Sequence, residues 1–331
     1  MQIVVLGAGA IGSLYGAKLA GGNEVTLLGR SDHVAAIEQH GLRIEGLETL
    51  TVQVHATTCV DKLKPDTLIL LTTKVPATVA ALQPIAPLIR DDTTIVALQN
   101  GLNGDEIARA AINDCGVVLR GITQFGATFD RPGVVRYMAA GYTIIENHKR
   151  SSRIAAVLNA AGLECRIAAD MRTEVWRKVI FNCVVNPITT IIGSEVGAIV
   201  DPRLTRLKQL VIDECVAVAA AEGIRLDEDF MREINSTYAG SQNIVSMRQD
   251  LLRGRQTEID YLSGAVAARG ARHGVDCPVN DALTRIIKGM EGASRNNRGG
   301  PRLPPPQELQ TKTITRAGVR APEINSSEII R

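Results

Sequence analysis

From the N-terminus to Asp170 the chain alternates short apolar runs with longer amphipathic stretches. Gln2–Leu6 has the length of a buried strand, Ala10–Ala20 reads as a helix and Glu24–Leu28 as a second strand. Ser31 is placed to cap the next helix, which runs through Gln39 and stops at His40-Gly41. Leu42–Glu45 and Leu50–Val54 read as a small strand pair. Thr67–Thr72 is a further apolar strand, followed by a helical stretch that ends near Pro84 and Pro87. Thr94–Leu98 and Val117–Gly121 are strands on either side of a helix at Asp105–Ala111. Val134–Met138 and Tyr142–Glu146 read as a hairpin about Ala139-Ala140-Gly141, and Ser151–Ala161 as a helix. This alternation predicts a Rossmann-type, doubly wound parallel sheet.

The period changes at Asp170. From there to Gly292 the apolar positions repeat at helical spacing, most clearly at Leu204–Ala221, Asn243–Leu252 and Glu258–His273, with Gly223, Gly274 and Pro278 as punctuation. From residue 293 the periodicity is lost, and Arg295-Asn296-Asn297-Arg298-Gly299-Gly300-Pro301 leads into Pro304-Pro305-Pro306. The expected organisation is α/β: a sheet domain over residues 1–169, an all-α domain over 170–292, and a mobile tail over 293–331.

Composition sharpens this picture in three ways. Aromatic residues make up only 3% of the chain, so Ala, Val, Ile and Leu must fill the interior, which suits parallel sheets flanked by helices. Seven of the 37 Lys/Arg and three of the 35 Asp/Glu lie from Ser294 onward, leaving 30 against 32 in the body. The body is near neutral and only the tail is basic, so no nucleic-acid partner is implied. The cysteines (Cys59, Cys115, Cys165, Cys183, Cys215 and Cys277) are dispersed with no C-x-x-C pair. That pattern suggests no metal site and fits a reducing compartment, so a cytoplasmic location is expected. Glycines interrupt the N-terminal apolar run, and no segment reaches membrane-spanning length, so neither a signal peptide nor a membrane partner is expected. No pattern specifies an assembly, and a homodimer is left open.

Two segments carry candidate chemistry. Gly7-Ala8-Gly9-Ala10-Ile11-Gly12 follows the first strand and opens the first helix, which is where G-x-G-x-x-G binds a dinucleotide. The first Gly allows the tight turn, the second lets a pyrophosphate approach the backbone, and the third lets helix and strand pack closely. At the end of the second strand Leu28-Gly29-Arg30-Ser31 has no acid to hold a ribose 2′-hydroxyl, whereas Arg30 can clamp a 2′-phosphate. Asp32 is the counter-candidate and reads instead as a first-turn helix acid. The expected cofactor is therefore NADP(H). Lys74 and Asn100 follow later strands toward the same crevice, although an exposed loop lysine and a turn asparagine would look alike in sequence.

The second segment follows Trp176-Arg177. Lys178, Asn182 and Asn186 recur at intervals of four, and from Val179 to Ser194 the stretch carries no charge. On a helix such positions fall within about 80° of one another. An ammonium and two amides in an interior are costly unless something hydrogen-bonds them, which a polar ligand would do. The alternative is an ordinary surface stripe, but that would carry Glu, Lys or Arg beyond Lys178. Pro187 is expected to kink or end the helix near Asn186.

With these residues assembled, the chain resembles the ketopantoate reductase (2-dehydropantoate 2-reductase) family over about Met1 to Gly292. The resemblance rests on Gly7–Gly12, Leu98-Gln99-Asn100-Gly101, the stretch from Trp176-Arg177-Lys178 to Asn186-Pro187, and Ser246-Met247-Arg248-Gln249-Asp250 leading to Thr257-Glu258-Ile259-Asp260. It implies NADPH-dependent reduction of a small-molecule 2-keto acid, ketopantoate to pantoate for coenzyme A biosynthesis, with Lys178 as general acid. It further implies substrate contacts from Asn100, Asn182, Asn186 and the Ser246, Met247, Arg248 and Gln249 loop. Around the cofactor it places Lys74, Asn100, Ala127 and Glu258 beside Arg30 and the glycine turn. The sequence departs from the family's usual Asn-Gly at Val196-Gly197 and again at Ser263-Gly264. Val196 removes one polar substrate contact, so a related 2-keto acid stands beside ketopantoate as the expected substrate. A non-catalytic NADP-binding sensor is the reading from a different class, and it gives no reason to keep Lys178, Asn182, Asn186 and Glu258.

Overall fold

The computed structural model describes residues 1–296, with side chains to Ser294. The expected tail begins inside the last helix, and from residue 297 it lies outside the described residues. The first half of the chain contains β1 (Gln2–Leu6), α1 (Ala10–Leu19), β2 (Glu24–Leu28), α2 (Ser31–His40), β3 (Leu42–Gly46), β4 (Leu50–Val52), β5 (His55–Thr57), β6 (Leu68–Leu71), α3 (Thr78–Leu82), β7 (Thr94–Ala97), α4 (Gly104–Ala111), β8 (Val117–Thr123), β9 (Gly126–Arg131), β10 (Val134–Ala139), β11 (Thr143–Ile145), α5 (Ser151–Ala160) and β12 (Cys165–Ile167). The second half contains α6 (Met171–Ile191), α7 (Thr205–Ala221), α8 (Phe230–Tyr238), α9 (Ser246–Leu252), α10 (Ser263–His273) and α11 (Pro278–Asn296).

Eight strands form one sheet in the order β12-β11-β8-β7-β6-β1-β2-β5. From β8 to β5 every pairing is parallel, as the alternation of strands and helices requires. Such strands are covered on both faces, so β6 and β7 are buried at every position. One face packs on α1, α2 and α5, with Leu14, Leu27 and Leu158 fully buried. The opposite face packs on α3 and α4 through Ile69, Leu82 and Ala108. A third core, around Trp176, Ile180 and Val211, belongs to the helices after Asp170. Asp170 itself caps α6, its Oδ1 accepting from the backbone N–H groups of Arg172 (3.0 Å) and Thr173 (3.4 Å).

Three local expectations are corrected. Val134–Met138 and Tyr142–Glu146 do not form a hairpin. β10 pairs parallel with β3 and antiparallel with β9 in a separate four-stranded sheet, order β4-β3-β10-β9, while β11 joins the large sheet antiparallel to β8. The two strands find partners in different sheets, and the chain crosses between the sheets at Gly141, where a Cβ would lie 2.4 Å from the Gln124 carbonyl oxygen. Ser31 is not the cap of α2; Arg30 occupies that position with no side-chain cap, and Ser31 is the first helical residue. Pro187 does not end α6, which continues to Ile191. Pro187 removes one backbone donor, but the turn stays closed beyond it, where Thr189 Oγ1 donates to the Val185 carbonyl at 2.7 Å. The strands β5, β9 and β12 and the helices α8 and α11 were not expected, the strands because each is short or faces mixed surroundings.

Two buried side chains lock the glycine turn to the rest of the sheets. The ring of His33 in α2 accepts from the Gly133 N–H at Nδ1 (2.9 Å), so in the neutral ring the proton sits on Nε2 and is donated to Ser13 Oγ in α1 (3.0 Å). Burial lowers the His33 pKa, in keeping with that neutral form. Tyr15 of α1 donates to Thr123 Oγ1 (2.9 Å) and meets Thr143 Oγ1 at 2.6 Å, tying α1 to β8 and β11. Gly12 has no space for a side chain: a Cβ there would stand 2.3 Å from the Gly7 carbonyl and 2.5 Å from Thr72 Oγ1. Gly12→Ala is accordingly expected to destabilise the protein by about 1–3 kcal/mol, as overpacking does, and denaturant unfolding measures this directly.

Candidate active site

The parallel strands β1, β6, β7 and β8 deliver their carboxyl ends to one crevice, where ligands of open α/β sheets bind. β1 leads into the turn Gly7-Ala8-Gly9, with Gly7 at φ +112°. Gly9 precedes the first residue of α1, in extended backbone. That first turn carries no acidic residue and no side-chain cap, so its N–H groups and positive dipole end remain available to an anion. Gly9 differs from Gly12 in an informative way. A Cβ at Gly9 would meet nothing within 4 Å, and its φ of −83° suits any residue. The fold therefore has no need of glycine there, whereas a pyrophosphate laid against the backbone does. The turn thus fits a dinucleotide. Arg30 sits at the end of β2 as the exposed N-cap residue of α2. Asp32 Oδ1 accepts from the His33 N–H at 2.9 Å, which engages it within its own helix.

β6 runs on to Lys74, whose ammonium pairs with Asp250 of α9 and donates to the Gln256 carbonyl at 3.3 Å. β7 runs on to Asn100, whose Nδ2 donates to Glu258 Oε2 at 3.1 Å, while Glu258 Oε1 accepts from the Val75 N–H at 3.3 Å. Glu258 is therefore a bridge between the helical half and two strand ends. Burial raises its pKa, against hydrogen bonds from Asn100 and Val75 that favour the carboxylate.

Lys178 lies in α6, half-buried, and its Nζ donates to the Thr123 carbonyl at the end of β8, 2.5 Å away. It has no carboxylate within salt-bridge distance among the described residues. Burial lowers its pKa to about 8; Arg120 pushes in the same direction and Glu258 opposes. Asn182 and Asn186 follow one and two turns along α6, at about 6 Å of rise each. Asn182 Nδ2 is buried without any acceptor, and Asn186 is 9% exposed. An orphaned buried amide costs about 1–3 kcal/mol, which an acceptor on a ligand would recover.

The remaining sequence candidates are placed as follows. Ser246 is exposed at the start of α9, and Gln249 donates back to the Ile244 carbonyl at 2.8 Å. Met247 is 2% exposed and packs in the helical core, so it holds α9 in place and presents nothing polar. Arg248 lines an open cleft of about 660 Å³ between residues 193–198 and 240–244, and neither Lys178 nor the two asparagines line it. Ala127 lies in β9 opposite Tyr137 and packs beside α1. Ala8, Ala10 and Ile11 are in the glycine turn and the start of α1. Sequence reasoning missed Arg120, Thr123 and Asp250. Arg120 left a trace, a charge inside the apolar run Val117–Gly121; Thr123 acts through its backbone and left none.

The sequence model for Ketopantoate reductase PanE/ApbA matches residues 3–150, and that for the Ketopantoate reductase PanE/ApbA C terminal region matches residues 170–291. The chain belongs to the ketopantoate reductase family. Within this family, a 2-dehydropantoate 2-reductase from Pyrococcus abyssi is 36% identical over 303 residues, spanning 88% of this chain and 98% of that protein. The crystal structure of a PanE/ApbA family ketopantoate reductase from Ralstonia eutropha is similar at a TM-score of 0.81 and 30% identity, covering 89% of this chain and all of the other. A D-mandelate dehydrogenase structure with NADH and anilino(oxo)acetate is similar at a TM-score of 0.82 and 27% identity, covering 89% and 99% of the two chains.

The contrast between Gly9 and Gly12 is testable. Gly9→Ala should unfold at the same denaturant concentration as the parent chain yet bind the dinucleotide about tenfold or more weakly in a fluorescence titration, the loss of roughly 1.4 kcal/mol.

Proposed function

We propose that the chain reduces a 2-keto acid to the 2-hydroxy acid with NADPH, 2-dehydropantoate to pantoate being the first reaction to assay. The single observation that supports this most is the Lys178 ammonium, held by one carbonyl in a desolvated crevice without a counter-ion, beside the strand ends that take a dinucleotide. Residues 1–169 would hold the cofactor and 170–292 the substrate. Arg30 is the cation at the end of β2 that can meet a 2′-phosphate, and Asp32, the nearest acid, sits in the first turn of α2 with its Oδ1 on the His33 N–H. Bound NADPH supplies hydride to the keto carbon. As negative charge builds on the carbonyl oxygen, Lys178 stabilises it and gives up a proton. Thr123 occupies one of the three N–H groups of that ammonium and leaves two for substrate. Asn182 and Asn186 orient the substrate by hydrogen bonds without adding charge, and Glu258 orients Asn100. The whole arrangement is built within one chain, so the chemistry does not require a homodimer. No helix among the described residues is long and apolar enough to cross a membrane, and the six cysteines are free, which supports a cytoplasmic setting.

A second reading keeps the reaction and changes the substrate. Val196 stands where the family usually has Asn; it is 4% exposed and packs in the helical core. The structurally similar D-mandelate dehydrogenase is seen with NADH and anilino(oxo)acetate, an aryl-substituted oxamate. A panel of 2-keto acids separates the two readings: turnover of an apolar 2-keto acid with none of 2-dehydropantoate would decide for the second.

Three further outcomes are expected. Lys178→Ala should lower kcat about 10²–10⁴-fold while still binding NADPH, as removal of a proton donor does. Because Lys178 donates only in its charged form and its pKa lies near 8, the rate of reduction should fall as pH rises through about 8. A flat profile to pH 10 would contradict the assignment. Arg30→Ala should weaken NADPH by about 10–100-fold, the worth of one charge-assisted contact, and leave NADH unchanged in equilibrium titrations.

A further inference from the structure

Arg120 is a charge inside β8, a strand buried from its second residue to its last, and it is 5% exposed. A buried guanidinium costs several kcal/mol unless it is matched. This one is matched poorly. Its nearest carboxylate, Asp105, is 3.9 Å away, and its Nε and Nη1 are buried without an acceptor. Nη1 also stands against the start of α4, 2.9 Å from where a Gly104 Cβ would be, and a helix N-terminus repels a cation. Only Nη2 is well used. It donates to the Gln99 carbonyl at 2.9 Å and to the Gly101 carbonyl at 2.6 Å, the two carbonyls that flank Asn100. Stability alone gives little reason for such a residue, since an apolar side chain of similar volume often does as well or better.

Its surroundings give a functional one. Asn100, gripped on both sides, holds Glu258. Three residues on along β8, the Thr123 carbonyl holds Lys178. We propose that Arg120 is a positioning residue of the reduction: it fixes the Asn100 turn by both flanking carbonyls and sets a poorly matched positive charge in the strand whose last carbonyl, that of Thr123, holds Lys178. This rests on Lys178 being the proton donor. The charged groups facing Lys178 are Arg120 from β8 and Glu258 from the segment before α10, with Lys74 and Asp250 acting on Glu258 in turn. Arg120 adds to burial in lowering the Lys178 pKa and Glu258 opposes it, so removing Arg120 moves that pKa upward.

The test compares Arg120→Met, Arg120→Gln and Arg120→Lys with the parent chain. One readout is the pH profile of kcat/KM for NADPH-dependent 2-keto acid reduction. The other is an NMR titration of the Lys178 side chain in the free protein, its resonance identified by its loss in Lys178→Ala. The alkaline limb and the NMR midpoint should both move to higher pH in Arg120→Met and Arg120→Gln, and both should stay near the parent's in Arg120→Lys. NADPH should bind several-fold more weakly in Arg120→Met. Should Arg120→Met fail to fold, Arg120→Gln, which keeps donors for the carbonyls, carries the comparison. A lower kcat with an unmoved limb and midpoint would make Arg120 a packing residue and overturn the proposal. A parent chain inactive on every 2-keto acid would instead overturn the reading of Lys178.

Discussion

The proposed chemistry depends on one half-buried ammonium being held without a carboxylate partner. Lys178 could have been paired with a carboxylate, as most buried lysines are. It meets a peptide carbonyl instead, which on the proposed reading leaves its charge available to an oxygen that acquires charge only during reaction. The carboxylate in the vicinity, Glu258, is occupied elsewhere: one oxygen takes the Asn100 amide and the other takes the Val75 backbone. Lys178 and Glu258 thus each meet uncharged partners, while Lys74 and Asp250 pair with each other.

This arrangement explains why the two halves of the chain meet where they do. The glycine turn, Lys74 and Asn100 are strand ends, and strand ends of a parallel sheet all open on one edge. α6 begins at the Asp170 cap and carries Lys178 to the end of β8 after two turns. Glu258 and Asp250 reach back from the helical half to Asn100 and Lys74. Both halves contribute to the cluster: the sheet offers oriented backbone, Lys74 and Asn100, and the helical half offers Lys178, Asn182, Asn186 and the carboxylates Asp250 and Glu258.

Much of the fold was legible in the chain because the large sheet is made of apolar runs of strand length separated by helical periods. The illegible parts have a common cause. β9 has mixed burial at nearly every position, and β5 and β12 are three residues long, so their local pattern carries little information. The false hairpin arose because two strands close in sequence belong to different sheets, through long-range pairing with β3, β9 and β8 that no turn signal announces. The site shows the same divide. The glycine turn and the spacing of Lys178, Asn182 and Asn186 can be read directly, since backbone geometry and helical period encode them. The partner of Lys178 is a main-chain oxygen, which no side chain announces, and Asp250 and Glu258 acquire meaning only through long-range pairing. Membership of the ketopantoate reductase family, established by matches across both halves, supplies the context in which these residues act together.

The account is tested most directly by a crystal structure of the protein with NADPH and a slowly turned-over 2-keto acid analogue. It predicts the Lys178 Nζ within about 3 Å of the 2-keto oxygen, with the glycine turn against the pyrophosphate. An analogue bound with its keto oxygen on another donor, and Lys178 still satisfied by Thr123 alone, would contradict it.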